Sequence, residues 1–436
     1  MACEVTGPAP TAATIDHSST YKPRYIDIGI NLADPIFRGV YNGKERHPDD
    51  LQAVVSRAQQ IGCQKLVVTG SDFASSKHAL EIAKEYPNVV YTTAGIHPCS
   101  SSIFSSSHAH HDLKDYTMPS DPDPEKPVPE DHEPDPEKTK EIISELRTLI
   151  ESTRNTHPGA LVAFGEFGLD YDRLHFCSRK VQLHSFAAQL DLVLALTPQP
   201  PLFLHSRAAH EDFIGLLKAK FGSRLEKLER GGVVHSFTGT AAEMQELADL
   251  GLHIGTNGCS FKTEENCAVV KEIPLNRLML ETDGPWCEIR PSHAGWKHLL
   301  EAKAKSQGIY AALDGDSTLA TSESTPTSTA TPTPNATRTA TPNPQQDPSA
   351  AAQSKPVKPP KKPKKKEPEI PERWPTVKKE KWVEGAMIKS RNEPCMIERV
   401  AQVVAGVRGE PLRDVCEAAW ANTVKVFGLG ENEKRE

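Results

Sequence analysis

Four times in this 436-residue chain, a run of apolar residues ends on a glutamate, histidine or aspartate and then turns. The stretches are Leu161-Val162-Ala163-Phe164-Gly165-Glu166, Pro201-Leu202-Phe203-Leu204-His205, Gly231-Gly232-Val233-Val234-His235 and Arg277-Leu278-Met279-Leu280-Glu281-Thr282-Asp283. A short apolar run bounded by turn residues reads as a buried strand. A charged or ligating side chain at the end of such a strand costs free energy unless something there needs it. Any one of them alone could be ion-paired or packed. Glu166, His205, His235 and Asp283 are separated by 39, 30 and 48 positions, each gap suiting about one strand-helix-strand step. Two imidazoles and two carboxylates converging from strand ends make a shared divalent cation the economical explanation.

The earlier part of the chain follows the same plan. Tyr25–Asn31 alternates at period two as a first strand, and further strands are predicted over 65–70 and 89–98. Helices are predicted over 49–61 and 74–86, then over 137–151, 177–196, 211–221, 241–250 and 264–272. A strand over 252–258 brings the total to eight, mostly alternating with helices. That pattern predicts an α/β fold, a (β/α)8 TIM barrel, with an open doubly wound sheet as the competing architecture. Ligands on strands one, four, five, six and eight can meet only if the sheet closes, and a barrel gathers all strand ends on one face.

Two segments break the pattern. Residues 99–138 are rich in serine, proline and acids, with ten Asp/Glu against three Lys within 112–138, and read as a disordered insert. His108, His110 and His111 lie in it and read as part of a solvated loop. Residues 313–354 are dominated by Ser, Thr, Pro and Ala, and 355–366 carry seven lysines among prolines. Neither stretch can bury a core. The expected organisation is a loose tail over 1–20, a barrel over 21–301 and a second disordered insert over 302–371. Helices within 372–436 complete the barrel's outer layer.

The 37% hydrophobic content and 36 prolines agree with a partly unfolded chain. A net charge of -7 gives no global attraction for nucleic acid, so any such binding is local. Nine cysteines without a CxxC pair, and no secretory signal, suggest reduced thiols in a cytoplasmic or nuclear protein. No apolar run reaches membrane-spanning length, so no membrane partner is expected.

Seven motifs in order resemble the TatD family of metal-dependent deoxyribonucleases: Asp27-Ile28-Gly29-Ile30-Asn31-Leu32, Ala94-Gly95-Ile96-His97-Pro98, Gly165-Glu166-Phe167-Gly168-Leu169-Asp170, Leu204-His205-Ser206-Arg207, His235-Ser236-Phe237-Thr238-Gly239, Glu281-Thr282-Asp283-Gly284-Pro285-Trp286 and Arg391-Asn392-Glu393-Pro394. The match spans about 24–300 and 374–428. The resemblance implies a TIM barrel of the metallo-dependent hydrolase type, with one or two divalent ions. It also implies 3′-to-5′ exonuclease activity on DNA, with links to DNA degradation and repair. Glu166, His205, His235 and Asp283 fall on the family's metal-site positions. Many members carry a His-x-His pair on strand one, where this chain has Gly29 and Asn31. It looks like the branch that keeps Asp27 and Asn31 instead, a site richer in oxygen that favours Mg²⁺, with Mn²⁺ or Zn²⁺ as alternatives.

Under this resemblance, Asp283 orients or deprotonates the attacking water, and Glu166 helps hold the ion. His97 contacts the phosphate or leaving group, or else supports a ligand. Asp27 is a second-metal candidate. Asn31, Arg207 and Trp286 are candidate substrate contacts, Arg207 as a phosphate clamp or a partner of Glu211, and Trp286 as a stacking platform for a terminal base. Arg391-Asn392-Glu393-Pro394 reads as a structural corner. The expected partner is DNA at 3′ ends, single-stranded or frayed, with RNA as a further candidate. The lysine run serves as a DNA tether, a nuclear-import signal or a spacer. Two other functions compete: an amidohydrolase-like enzyme acting on a small ester, lactone or amide, and a non-enzymatic scaffold displaying its disordered arms.

Overall fold

Eight strands pair in chain order into one parallel sheet: β1 (Tyr25–Ile30), β2 (Cys63–Val68), β3 (Val90–Ala94), β4 (Leu161–Asp170), β5 (Leu202–Arg207), β6 (Gly232–Val234), β7 (His253–Thr256) and β8 (Leu278–Leu280). The computed structural model describes residues 21–107, 122–314, 370 and 372–430. Helices α1 (Leu51–Gln60), α2 (Phe73–Glu85), α3 (Pro136–Thr156), α4 (Arg179–Ala195), α5 (His210–Phe221), α6 (Ala241–Asp249) and α7 (Glu264–Glu272) stand between the strands. Then come α8 (Trp296–Asp314), α9 (Ile397–Arg408) and α10 (Leu412–Phe427). Residues Met1–Lys303 and Ile370–Glu436 make one compact unit, the barrel, and Ala304–Glu369 a second, described only over the end of α8.

Local chemistry starts these helices where the sequence predicts. Asp72 and Ser75 form a capping box on α2, and Thr240 and Glu243 do the same on α6. Along α1, Leu51, Val54, Val55 and Ala58 repeat at helical spacing and are buried. Two apolar layers result. Ile26, Ile28, Val67, Val162, Ala163, Phe203, Val233 and Met279 fill the barrel interior, and Val426, Phe427 and Leu429 at the end of α10 join that cluster.

The seam between first and last strands closes just beyond their ends. The Asp283 amide donates to the Gly29 carbonyl at 2.8 Å, and the Asn31 amide donates to the Gly284 carbonyl at 2.8 Å. Asp27 stitches the same seam: its carboxylate accepts from the Thr282 amide at 2.9 Å and from the Thr282 hydroxyl at 2.5 Å. The carboxyl is fully buried, which pushes it up to about 8 against the pull of those Thr282 bonds. Both of its oxygens are occupied, so the second-metal role expected of Asp27 gives way to barrel closure.

Two further expectations change. Glu166 does not end its strand; β4 continues to Asp170. The strand passes through because Gly165 and Gly168 take φ of 139° and 147°, and a β-carbon there would lie 2.1 Å from the Phe203 carbonyl oxygen and 1.9 Å from that of His205. The stretch expected to be disordered from residue 99 begins as a packed 3-10 turn, Pro98–Phe104, because Ile103 and Phe104 are buried in the outer core. His108, His110, His111 and the lysine run at 355–366 lie outside the described residues.

Candidate active site

Glu166 within β4 and His205 within β5 meet His97 and His235, which follow β3 and β6, all of them buried. Glu166 Oε1 lies 2.6 Å from His235 Nε2, 3.1 Å from His205 Nδ1 and 3.3 Å from His97 Nε2. His97, Glu166 and His205 present donor atoms within 4.8 Å of one another, so distance alone would make His97 a ligand. Tautomers decide otherwise. The Cys99 backbone N–H donates to His97 Nδ1 at 3.0 Å, which leaves the ring proton on Nε2, facing Glu166. His97 is therefore a hydrogen-bond donor into the site.

The other two imidazoles are set the opposite way. His205 Nε2 donates to Asp170 Oδ2 at 3.1 Å, leaving a lone pair on Nδ1. His235 turns Nδ1 toward Glu281 Oε2, 3.5 Å away, leaving a lone pair on Nε2. Those two nitrogens are 3.2 Å apart, and both face the Glu166 oxygen. Three acceptors at such distances repel unless a cation lies among them. The donor set of two neutral imidazoles and a carboxylate, with a carboxylate behind each ring, matches what a divalent ion requires. His235 Nδ1 and Glu281 Oε2 are also buried without a well-formed hydrogen bond, a contact that a charged His235 ring would strengthen.

A proton meets the same need in part. Burial would lower His235, yet Glu166 and Glu281 raise it well above the ordinary histidine value. Burial would raise Glu166, but His235 and His97, with hydrogen bonds from His205 and His235, hold it well below the carboxylate range. Asp170 is likewise brought down to about 2: the His205 hydrogen bond, the His205 ring and Arg207 overcome its burial. Glu281 goes the other way, raised by burial more than His235 lowers it.

Asp283 stands outside this cluster. Its Oδ1 accepts from Asn31 Nδ2 at 3.1 Å, and its Oδ2 accepts from Cys287 Sγ at 3.2 Å and Ser236 Oγ at 3.4 Å. It is held in the left-handed region at φ 52°, a conformation aspartate tolerates better than most residues. Asn31, expected to touch substrate, spends its amide on Asp283 and the Gly284 carbonyl and accepts from Thr69. It positions Asp283. Arg207 turns neither to Glu211 nor outward: its Nη1 lies 3.5 Å from Asp170 Oδ2. Trp286 is 59% exposed, as a stacking platform requires.

The structure also gives roles to Asp170 and Glu281, which sequence reasoning passed over. Asp170 lies four residues after Glu166 in the same strand, and Glu281 two residues before Asp283. Changing Asp170 to asparagine should keep the fold and weaken metal affinity by about 10–100-fold, because the His205 tautomer is no longer fixed by a charge. Metal titration followed by calorimetry measures it, and unchanged affinity would remove Asp170 from the site.

Comparison with known proteins agrees with this geometry. The model of the TatD related DNase family matches residues 26–317. A protein of Schizosaccharomyces pombe named Deoxyribonuclease Tat-D is 34% identical over 415 residues, covering 95% of this chain and 99% of that one. An Erwinia tasmaniensis protein named 3'-5' ssDNA/RNA exonuclease TatD is 33% identical over 263 residues, covering 60% and 79%. Among solved structures, one described as an uncharacterized amidohydrolase from Saccharomyces cerevisiae superposes with a TM-score of 0.67 at 32% identity, covering 93% of this chain and all of that one. The eight-stranded barrel is thus that of the metallo-dependent hydrolases, and the chain belongs to the TatD related DNase family.

Proposed function

We propose that this protein is a divalent-metal-dependent deoxyribonuclease that removes nucleotides from the 3′ ends of DNA, single-stranded or frayed, with RNA as a second substrate. The observation that carries the proposal is the meeting of two imidazole lone pairs and the Glu166 carboxylate at the barrel mouth of a chain in this family. The names of the fungal and bacterial relatives support nucleic acid over a small ester, lactone or amide.

Glu166, His205 and His235 would hold the ion. When bound, a divalent ion neutralises phosphoryl charge and lowers the pKa of a water. Asp283, steadied by Asn31, Ser236 and Cys287, is the carboxylate we assign to orient the attacking water and take up its proton. His97 Nε2–H is a donor for a phosphoryl or leaving oxygen. Trp286, exposed at the rim, offers a face for the terminal base. Two imidazoles with one carboxylate move the preference from Mg²⁺ toward Mn²⁺ or Zn²⁺, which accept nitrogen more readily. Residence in the cytoplasm or nucleus is proposed from the sequence alone.

End-labelled single-stranded DNA tests the reading. Stepwise 3′ shortening is expected with Mn²⁺ or Mg²⁺, abolished by a chelator and restored by excess ion. Hydrolysis of ester or lactone substrates with the DNA untouched would overturn it.

A further inference from the structure

Two cysteines on neighbouring rim loops face each other beside Asp283. Cys259 lies in the 3-10 turn Gly258–Phe261 that follows β7, and Cys287 lies in the loop that follows β8. Their sulfurs are 2.7 Å apart. That is closer than two unbonded sulfurs rest, though well beyond the ~2.05 Å of a disulfide. The backbones enforce the approach: a β-carbon on Gly258 would sit 1.8 Å from the Cys287 carbonyl oxygen. Cys259 is further fixed by Asn257, whose Oδ1 accepts the Cys259 amide at 2.8 Å while its Nδ2 donates to Ser236 Oγ at 2.9 Å. Both thiols are half-buried, whereas the six other cysteines among the described residues are buried.

The geometry points to Cys259 and Cys287 as an oxidative modification site, a dithiol that a peroxide converts to an intramolecular disulfide across the mouth of the barrel. Cys259 is the attacking group. The hydrogen bond from Cys287 lowers its thiol to about 7 against the effect of burial, and Lys262 adds to the pull. The Cys259 thiolate takes the terminal oxygen of the peroxide, breaking the O–O bond, to give a sulfenic acid and, from hydrogen peroxide, water. The Cys287 sulfur then attacks the Cys259 sulfur and expels hydroxide, which leaves as a second water with the Cys287 proton. The two sulfurs lose two electrons in all, and the peroxide gains them.

The modification reaches the active site through one atom. In the reduced protein, the single Cys287 S–H is shared between the Cys259 sulfur and Asp283 Oδ2, the latter 3.2 Å away. The disulfide has no such hydrogen and draws the sulfur toward Cys259. Asp283 then keeps Asn31 and Ser236 but loses its third support. This functional half of the inference rests on the nuclease reading. The covalent half does not.

The test treats the full-length protein with hydrogen peroxide, removes the oxidant with catalase and maps unreduced peptides by mass spectrometry. One joined peptide pair containing Cys259 and Cys287 is expected, about 2 Da lighter than the sum of its parts. Exonuclease turnover should fall about tenfold and return with dithiothreitol. Cys259→Ser should keep the basal turnover and ignore peroxide. Absence of the joined peptide, or over-oxidation of Cys259 alone, overturns the site. A joined peptide with unchanged turnover overturns the link to Asp283. Should the protein lack nuclease activity altogether, the peptide map still decides whether the thiols pair.

Discussion

Glu166→Gln is expected to lower deoxyribonuclease turnover at least ~10³-fold, a loss of about 4 kcal/mol of transition-state stabilisation. Glutamine keeps the volume of the side chain but brings an uncharged amide to a point where two imidazole lone pairs already face inward. An amide oxygen in the carboxylate's place is a far weaker counter-charge for a divalent ion, and an amide nitrogen there would repel it. The His97 Nε2–H donor also loses its anionic acceptor. Turnover on end-labelled DNA measures the effect, with circular dichroism to check the fold. Partial recovery at high Mn²⁺ would show that lost ion affinity is the main cause. Retention of a tenth of the wild-type rate would show that the ion is held elsewhere.

The second large effect concerns stability, far from the chemistry. Arg391 donates to Asp50 at 2.8 and 2.6 Å and to Glu393 at 2.9 Å, and Glu393 accepts from Arg57 at 2.8 Å. All four charges are buried. Arg391→Ala strips the cation from two buried carboxylates and is expected to cost about 3–5 kcal/mol, since the charges left behind have little solvent to turn to. Chemical denaturation reads it as a lower midpoint with the slope unchanged. A shift near zero would mean that water reaches the corner.

Much of this architecture is legible in the sequence because its signals are local. Apolar runs with turns mark the strands, and the segments between them carry the helix signal. His97, Glu166, His205 and His235 stand out in the sequence because each follows an apolar run directly. The misassignments share one cause. Asp27 lies in the first strand and Asn31 just after it, and their partners Thr282 and Asp283 lie beyond the last. A seam joining the two ends of a closed sheet leaves no trace in spacing or period. Arg207 and Asp170 escaped for a similar reason: they meet across adjacent strands in a register set by the Phe164–Phe167 irregularity. The division of labour among three histidines rests on which ring nitrogen meets Cys99, Asp170 or Glu281, which no one-dimensional pattern encodes.

Asn392 donates to the carbonyls of Thr282 and Trp286, both at 2.8 Å, across more than a hundred residues of intervening chain. Synthesis runs from the first residue onward, so most of the polypeptide must leave the ribosome before that clasp can form. A chain that stops short of Asn392 therefore lacks the clasp on the loop that follows β8. The loop after β8 is thus tied down by a residue more than a hundred positions further along the chain.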